Sequence, residues 1–533
     1  MTDVDGDGNG NGNGNGNGNG NGNDGNAGRA AARRHVVLGV TAVVTLLGSL
    51  DAYVIVTLLN PITDELGIPL NHLERATAIV TAYLLGYVAA MPVLGQTADR
   101  FGPRRVLQWC LVVFAVGSVL TASAHSLPLL IAGRLVQGVA AGGLLPVALA
   151  LAGRLFRGQA RPVALGSVGA AQELGSVLGP LYGAGVAALT NWRGVFWVNV
   201  PLALVAAVVT WFTVPAEAAP KPGGLDGPTE PDGSRRGDLV GGLLLALALG
   251  LLVTALDNQD PQRSVLPSWG PPMLLGSAVA LVLFVLWERR SQNRLIDTRR
   301  LRRRPFAAAL VISFCAGVAL LVTLVDGEFV AQSLLGLSSV GGALLLMWFL
   351  TALPVGAVLG GLAGRRLGHS VVAAVGMAIA AVGYVLIAAW PLAALSAHVG
   401  PLPLAQTDLV IAGLGLGLVI APTAGAVLDS TDPGQHTTAS AAAVVARTVG
   451  MLVGVAALSA WGLHRFQTLT AHLDMPVPGT AGFGRAWPAY QHALHVALHT
   501  EYSDIFRATA VVCAIGAACA LGLAGRASAE TSR

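Results

Sequence analysis

Gly95-Gln96-Thr97-Ala98-Asp99-Arg100-Phe101-Gly102-Pro103-Arg104-Arg105 separates two long apolar runs, 76–94 and 106–123. The stretch is too short to form a domain of its own and too charged to lie in hydrocarbon, so it reads as a tight loop between two membrane spans. Its glycines let two helix ends approach closely, and Asp99 can accept hydrogen bonds from arginines or from a helix N-terminus. The rest of the 533-residue chain fits a bilayer solvent: 54% of residues are hydrophobic, 11% are charged, and the mean hydropathy is +0.65.

Scanning outward for apolar runs of about 17–25 residues yields fourteen spans. They are 36–59, 76–94, 106–123, 127–152, 163–189, 195–214, 239–256, 271–287, 306–325, 340–363, 371–390, 409–428, 439–461 and 505–523. An even number puts both termini on one side. Arg29, Arg33 and Arg34 before the first span, and Arg289, Arg290, Arg294, Arg299, Arg300, Arg302, Arg303 and Arg304 between the eighth and ninth, mark that side as cytoplasmic. The localisation expected is therefore an inner (plasma) membrane, crossed many times, with both termini in the cytoplasm. The first run is too long for a signal-peptide core and should remain as a helix.

Several function classes are excluded. Lysine occurs once, at Lys221 between Pro220 and Pro222, so the chain carries no P-loop and no direct ATP drive. Cys110, Cys315, Cys513 and Cys519 lie in apolar runs without metal-ligand spacing and read as small buried hydrophobes. The net charge of +4 comes from arginines punctuating the spans, which points to topology and away from nucleic acid. Neither H-E-x-x-H nor a nucleophile–base constellation is present, so an enzyme is not expected and no catalytic residue is assigned. His492, His495 and His499 have helical spacing, but a solvated or packing face is the expectation there and no metal site is assigned.

Val93-Leu94-Gly95-Gln96-Thr97-Ala98-Asp99-Arg100 recurs as Val358-Leu359-Gly360-Gly361-Leu362-Ala363-Gly364-Arg365, each copy closing a span at a cytoplasmic loop. A duplicated architecture follows. Residues 1–28 form a Gly/Asn-rich tail expected to be disordered. A first six-helix half occupies 29–214, a Pro/Gly-rich linker 215–238, two extra spans and the basic loop 239–305, and a second half 306–525 with an outer extension at about 462–500. A tail, 526–533, closes the chain. The fold class is an all-α polytopic membrane protein.

The loop Gly95 to Arg105, with Asp99, Arg100, Gly102, Arg104 and Arg105 in place, resembles the signature between the second and third helices of the major facilitator superfamily, although Thr97 and Pro103 depart from its commonest residues. Arg134, Gln137 and Gly138 in the fourth span are similar to the family's R-x-x-Q-G motif. Gly166, Gly175, Gly179, Pro180 and Gly183 in the fifth are similar to its antiporter signature, with Ala184 replacing the last glycine. Leu50-Asp51 through Asn60-Pro61 and Trp192-Arg193 through Asn199-Val200-Pro201 resemble the fourteen-helix drug:proton antiporter branch. The resemblance implies a major facilitator fold of two six-helix halves plus two central helices, and an antiporter driven by the proton gradient without a cofactor.

Ionisable residues inside spans are costly, about 2.5–3.5 kcal/mol each on insertion scales, and call for a partner or a function. Arg134 is one such residue. Asp51, Glu173 and Arg447 are expected to form a single switchable network in which protonation of a carboxylate releases Arg447. Asp326 and Glu328 follow at the outer end of the ninth span, where they either relay protons or are solvated; Asp326 is carried as a coupling candidate.

A helix running from Ala486 to Leu523 would measure roughly 57 Å, so the last two spans should project beyond the bilayer. This projection, with Leu84-Leu85-Gly86-Tyr87, Gln172-Glu173-Leu174-Gly175 and Leu414-Gly415-Leu416-Gly417-Leu418-Val419, resembles the mycobacterial triacylglyceride-exporter family. In that family the acidic residues matching Asp51 and Glu173 and the arginine matching Arg447 are implicated in coupling. The resemblance implies export of triacylglyceride or another hydrophobic lipid by a monomer working with a periplasmic lipoprotein. Multidrug efflux is the alternative within the fold, and a non-transporting membrane sensor or scaffold is the alternative of another class.

Overall fold

The computed structural model describes residues 21–66, 74–214, 239–256, 267–291, 301–391, 398–399, 402–473, 476 and 483–523. The chain winds into helices α1 (Asn21–Glu65), α2 (Glu74–Phe101), α3 (Pro103–Ala122), α4 (Leu127–Leu155), α5 (Ala160–Leu189), α6 (Trp192–Thr213), α7 (Leu239–Leu256) and α8 (Gly270–Arg290). These are followed by α9 (Arg303–Ser333), α10 (Ser339–Ala388), α11 (Leu404–Asp429), α12 (His436–Thr470) and α13 (Phe483–Ala520). In hydrocarbon a helix satisfies its own backbone groups, and prolines stand inside α1, α2, α4, α5 and α6, as membrane helices tolerate.

Among the described residues, 11 helices are long and apolar enough to cross a membrane. One of these is α10, which covers two expected spans: Gly368 adopts φ 78°, open to glycine but strained for other residues, and the helix reverses there. The expected fifth and seventh spans fall outside that set. Glu173, Gln172 and glycines dilute α5, while α7 is short, yet both pack lengthwise on apolar neighbours.

α1 begins at Asn21, inside the stretch expected to be disordered. The physical reason is propagation: once the apolar run has nucleated a helix, each added turn costs little even for poor formers. Residues 1–20, the linker 215–238, residues 292–300 of the basic loop, much of 474–482 and the tail beyond 523 lie outside the described residues. A two-stranded hairpin, β1 (His398–Val399) with β2 (Leu402–Pro403), was not expected from sequence.

α1–α6 form one half and α9–α13 the other, each around its own apolar core. The largest contacts between them are those of α2 with α12 and of α5 with α10. The internal repeat explains their likeness. In the first copy a Cβ on Gly95 would lie 3.1 Å from Thr438 Cα of α12. In the second a Cβ on Gly361 would lie 2.6 Å from the Pro162 carbonyl of α5, so each copy brings its own half against the other. α7 covers the α2–α12 seam, where Val88, Leu249 and Val253 pack against Val445, Val449 and Leu452. α8 rests on α7 and turns Leu275, Val279 and Val282 outward, a surface suited to lipid and not to water.

Candidate functional site

Three clusters of charge are built into this apolar frame, and each obeys the rule that a buried charge must be paired. At the α2–α3 loop, Asp99 accepts hydrogen bonds from the backbone N–H of Thr437 (3.0 Å) and Thr438 (2.7 Å), from the Thr438 hydroxyl (2.8 Å) and from Arg154 (2.9 Å). Its partners are the free N–H groups and positive dipole end of α12, so this carboxylate ties the first half to the second. Nearby, Arg161 of α5 pairs with Asp429 of α11, which His369 also approaches at 3.2 Å. Gly102 supplies the turn with φ 93°, Arg104 donates to the Trp211 carbonyl and lies over that indole ring at 4.6 Å, Arg100 lies over Phe101, and Arg105 is exposed. We call this the Asp99 end of the bundle.

Deep in the first half, Arg134 donates to Asp51 Oδ2 at 2.8 Å, and both side chains are fully buried. Asn199 of α6 donates to Asp51 Oδ1 at 2.6 Å and Gln137 to the same oxygen at 3.4 Å, while Gln137 Oε1 accepts from Arg134 at 3.1 Å. Ser118 of α3 completes the network by accepting from Gln137 at 2.9 Å. Position 138 must be glycine for this to assemble: a Cβ there would run into the Tyr83 carbonyl oxygen, pushing α2 from α4. The R-x-x-Q-G residues thus serve one purpose. Arg134 and Gln137 point at Asp51 from adjacent turns, and Gly138 lets Tyr83 close over them.

The third cluster joins the halves at mid-height, where Arg447 of α12 pairs with Glu173 of α5 at 2.7 Å. Arg447 lies on the wall of a central cavity enclosing about 1760 Å³ of empty space with its mouth included. The wall is otherwise mostly apolar, with Leu144, Leu320, Leu416 and Met451 among its side chains and Tyr53, Tyr83 and Tyr87 adding aromatic faces. The α5 signature sets α5 against α1: Cβ atoms on Gly175, Gly179 and Gly183 would meet Leu46 O at 2.8 Å, Leu50 O at 3.0 Å and Thr57 Oγ1 at 2.6 Å. Pro180 leaves its carbonyl to Thr57, at 3.4 Å, and Gly166 abuts Ala357 of α10.

The single network expected of Asp51, Glu173 and Arg447 is therefore corrected to two pairs. Asp51 is held by Arg134, which sits one helix away within the same half, and Arg447 is held by Glu173 across the halves. Local geometry decides this, because α4 meets α1 at Asp51 while α12 faces α5 across the cavity. Asp326 is buried in α9, away from the cavity wall, with Glu501 of α13 within electrostatic reach. α9 continues to Ser333, so neither Asp326 nor Glu328 lies past its end; Glu328 accepts from Gln332 at 2.7 Å. His499 approaches the Trp390 carbonyl at 2.7 Å, His492 and His495 are exposed, and among the described residues no metal-holding group of His, Cys, Asp or Glu converges.

Sequence reasoning missed the Trp390–Asp408 hydrogen bond (2.8 Å), the Glu65–Arg193 pair at the far end of the bundle, and the aromatic cover over Arg134. A polar residue within an apolar run was the available signal for Asn199 and Asp408.

The Major Facilitator Superfamily model matches residues 41–455. A triacylglyceride transporter of Mycobacterium tuberculosis (strain ATCC 25618 / H37Rv) is 48% identical over 505 residues, covering 93% of this chain and 95% of the relative. One from Mycolicibacterium smegmatis is 46% identical over 503 residues, covering 92% and 88%. In fold, the chain is similar to the human organic anion transporter MFSD10 (TM-score 0.58, 16% identity, 90% of this chain and 99% of that one). It is also similar to the Major Facilitator Superfamily transporter FucP in its outward conformation (TM-score 0.57, 12% identity, 91% and 99%). On its signatures, its paired halves and these likenesses, the chain belongs to the major facilitator superfamily, as a membrane transporter and not an enzyme.

Proposed function

We propose that this transporter exports apolar lipids of the triacylglyceride class across the inner membrane in exchange for inward protons. One observation carries the reading: the Glu173–Arg447 pair bridges the two halves at the wall of a cavity that is otherwise mostly apolar. Protonating Glu173 discharges the pair and leaves α12 free to move from α5; Arg447 lines the cavity, with Glu173 buried behind it. The apolar wall suits a lipid, and the names of the relatives point to the same substrate class.

With the Asp99 end on the cytoplasmic side, the ties from Asp99 to α12 and from Arg161 to Asp429 hold that side shut, an outward-facing arrangement. Rocking the halves inward requires Asp99 to release the α12 N-terminus, and proton entry supplies the work. Each inward charge contributes about 2.3 kcal/mol per 100 mV of membrane potential. A periplasmic lipoprotein is the proposed acceptor, engaging the projecting ends of α12 and α13. The second reading, drug:proton efflux, is favoured by Tyr53, Tyr83 and Tyr87 on the wall, whose rings suit cationic aromatic compounds.

Proteoliposomes with an imposed proton gradient test both. Gradient-dependent movement of labelled triacylglyceride, abolished by Glu173→Gln and by Asp51→Asn, supports lipid–proton exchange. Movement of a cationic dye without lipid movement selects the drug reading. A folded protein that moves neither substrate would point to a sensor or scaffold.

A further inference from the structure

We infer that Tyr83 is a positioning residue that keeps Arg134 on Asp51 and seals that pair from the central cavity, so that substrate at the wall must displace the Tyr83 ring before Asp51 can exchange a proton. The inference rests on the proton-coupled reading above and adds to it the element that makes proton exchange at Asp51 depend on substrate.

Asp51, Arg134 and Gln137 have no exposed surface, although one of the two proposed coupling carboxylates is among them. A buried carboxyl can exchange protons only through a path that opens, and the structure identifies the side chain standing in it. A guanidinium engaged edge-on by a carboxylate presents two flat faces. On Arg134, Phe196 approaches within 5.7 Å of the guanidinium carbon and Tyr83 within 4.3 Å, measured to the ring centroids. Phe196 belongs to an apolar cluster at the end of the first half remote from Asp99. Tyr83 lines the cavity, so its ring is the partition between the cavity and the pair.

The backbone under this ring is clasped between helices, and the buried ring is held by side-chain contacts. Cβ atoms on Gly138 and Gly142 would run into the carbonyl oxygens of Tyr83 and Tyr87, so α4 clasps this part of α2 with no room to shift. The ring is steadied by softer contacts: its hydroxyl donates to the Gly48 carbonyl at 3.1 Å, and it stacks on Tyr87 with 6.0 Å between centroids and 13° between planes. Tyr87 in turn lines the cavity beside Tyr53 and Arg447. A ligand pressing on Tyr87 or Tyr83 therefore acts on Arg134 through stacked rings. The ionisable groups around the pair and the Tyr83 ring are Tyr53 from α1, Tyr87 from α2 and Tyr182 from α5, with Glu173 and Arg447 beyond them beside Tyr53 and Tyr87; Asn199 from α6 and Ser118 from α3 are neutral.

The test uses the full-length protein in proteoliposomes loaded with a pH-sensitive dye, with a fluorescent triacylglyceride analogue as substrate. Tyr83→Ala should raise proton entry in the absence of substrate by on the order of thirtyfold, the factor matching loss of a desolvated cation–π contact. Tyr83→Phe, which keeps the ring, should stay near wild type. Substrate exchange without a gradient reports that each variant is folded; Tyr83→Leu, which fills the space without an aromatic face, replaces Tyr83→Ala if the latter does not exchange. Exchange-competent Tyr83→Ala or Tyr83→Leu with wild-type proton tightness and wild-type gradient-driven transport would overturn the inference. If wild type itself shows no gradient-driven transport, the proton-coupled reading fails, and the two failures are thereby distinguished.

Discussion

Removing either member of the Asp51–Arg134 pair should destabilise the protein, and the two losses should differ in their response to pH. Breaking a buried pair costs about 3–5 kcal/mol, because the remaining charge is left without its counterion. In Asp51→Asn the stranded group is a guanidinium, which does not lose its proton. It keeps Gln137 Oε1 at 3.1 Å, the Asp51 carbonyl at 3.4 Å and the Tyr83 ring, so the loss should fall at the lower end, about 3 kcal/mol, and stay constant with pH. In Arg134→Gln the stranded group is a carboxylate. It keeps the amide donors of Asn199 and Gln137, yet it can also discharge by taking a proton, so stability lost at neutral pH should return as pH falls. The double variant removes both charges and should be no worse than either single one, giving a coupling energy of at least about 3 kcal/mol. Equilibrium unfolding in mixed detergent micelles at pH 5 and pH 8 measures all four corners of the cycle. Additive losses, or an Arg134→Gln penalty that does not change between the two pH values, would refute this account of the pair.

Two further outcomes are expected. Gly138→Ala places a methyl group against the Tyr83 carbonyl, so it should cost about 1–3 kcal/mol in the same unfolding assay, whereas Gly185→Ala, with open space around it, should be close to neutral. At the far end of the bundle, Arg193 and the Trp192 N–H hold the Glu65 carboxyl below its usual range. A lowered value means that its contribution is present above the unfolded-state pKa of about 4.3 and is lost as pH falls through the folded one. Acid should therefore loosen this corner in wild type and leave Glu65→Gln unchanged, as read by hydrogen exchange at the start of α6.

The spans were legible because one property, apolarity over about 20 residues, identifies a helix whether it faces lipid or protein. Gly368 was legible in its surroundings, since Arg365 and Arg366 end one apolar run and Val371 opens the next. Partner choice was not. Asp51, Arg134 and Arg447 are each recognisable as charges out of place, but sequence distance carries no information on which helices face each other across a cavity. A partial hint existed: Arg134 and Gln137, three residues apart, share a helix face, so a partner for one had to satisfy both. The role of Tyr83 was hidden for a different reason. An aromatic residue in an apolar span looks like ordinary packing, and only the cation against its face distinguishes it.

α12 and α13, at 35 and 38 residues, measure about 52 and 57 Å, well over the ~30 Å of hydrocarbon. Their overhang acts as a lever whose fulcrum lies inside the bilayer. Arg447 sits about a third of the way along α12, so any small tilt of that helix about its paired position becomes a much larger sweep at the tip. Anything that grips the tip gains the converse advantage: a weak force there exerts a strong torque at Arg447, and a docked protein could bias the central ion pair without coming near it.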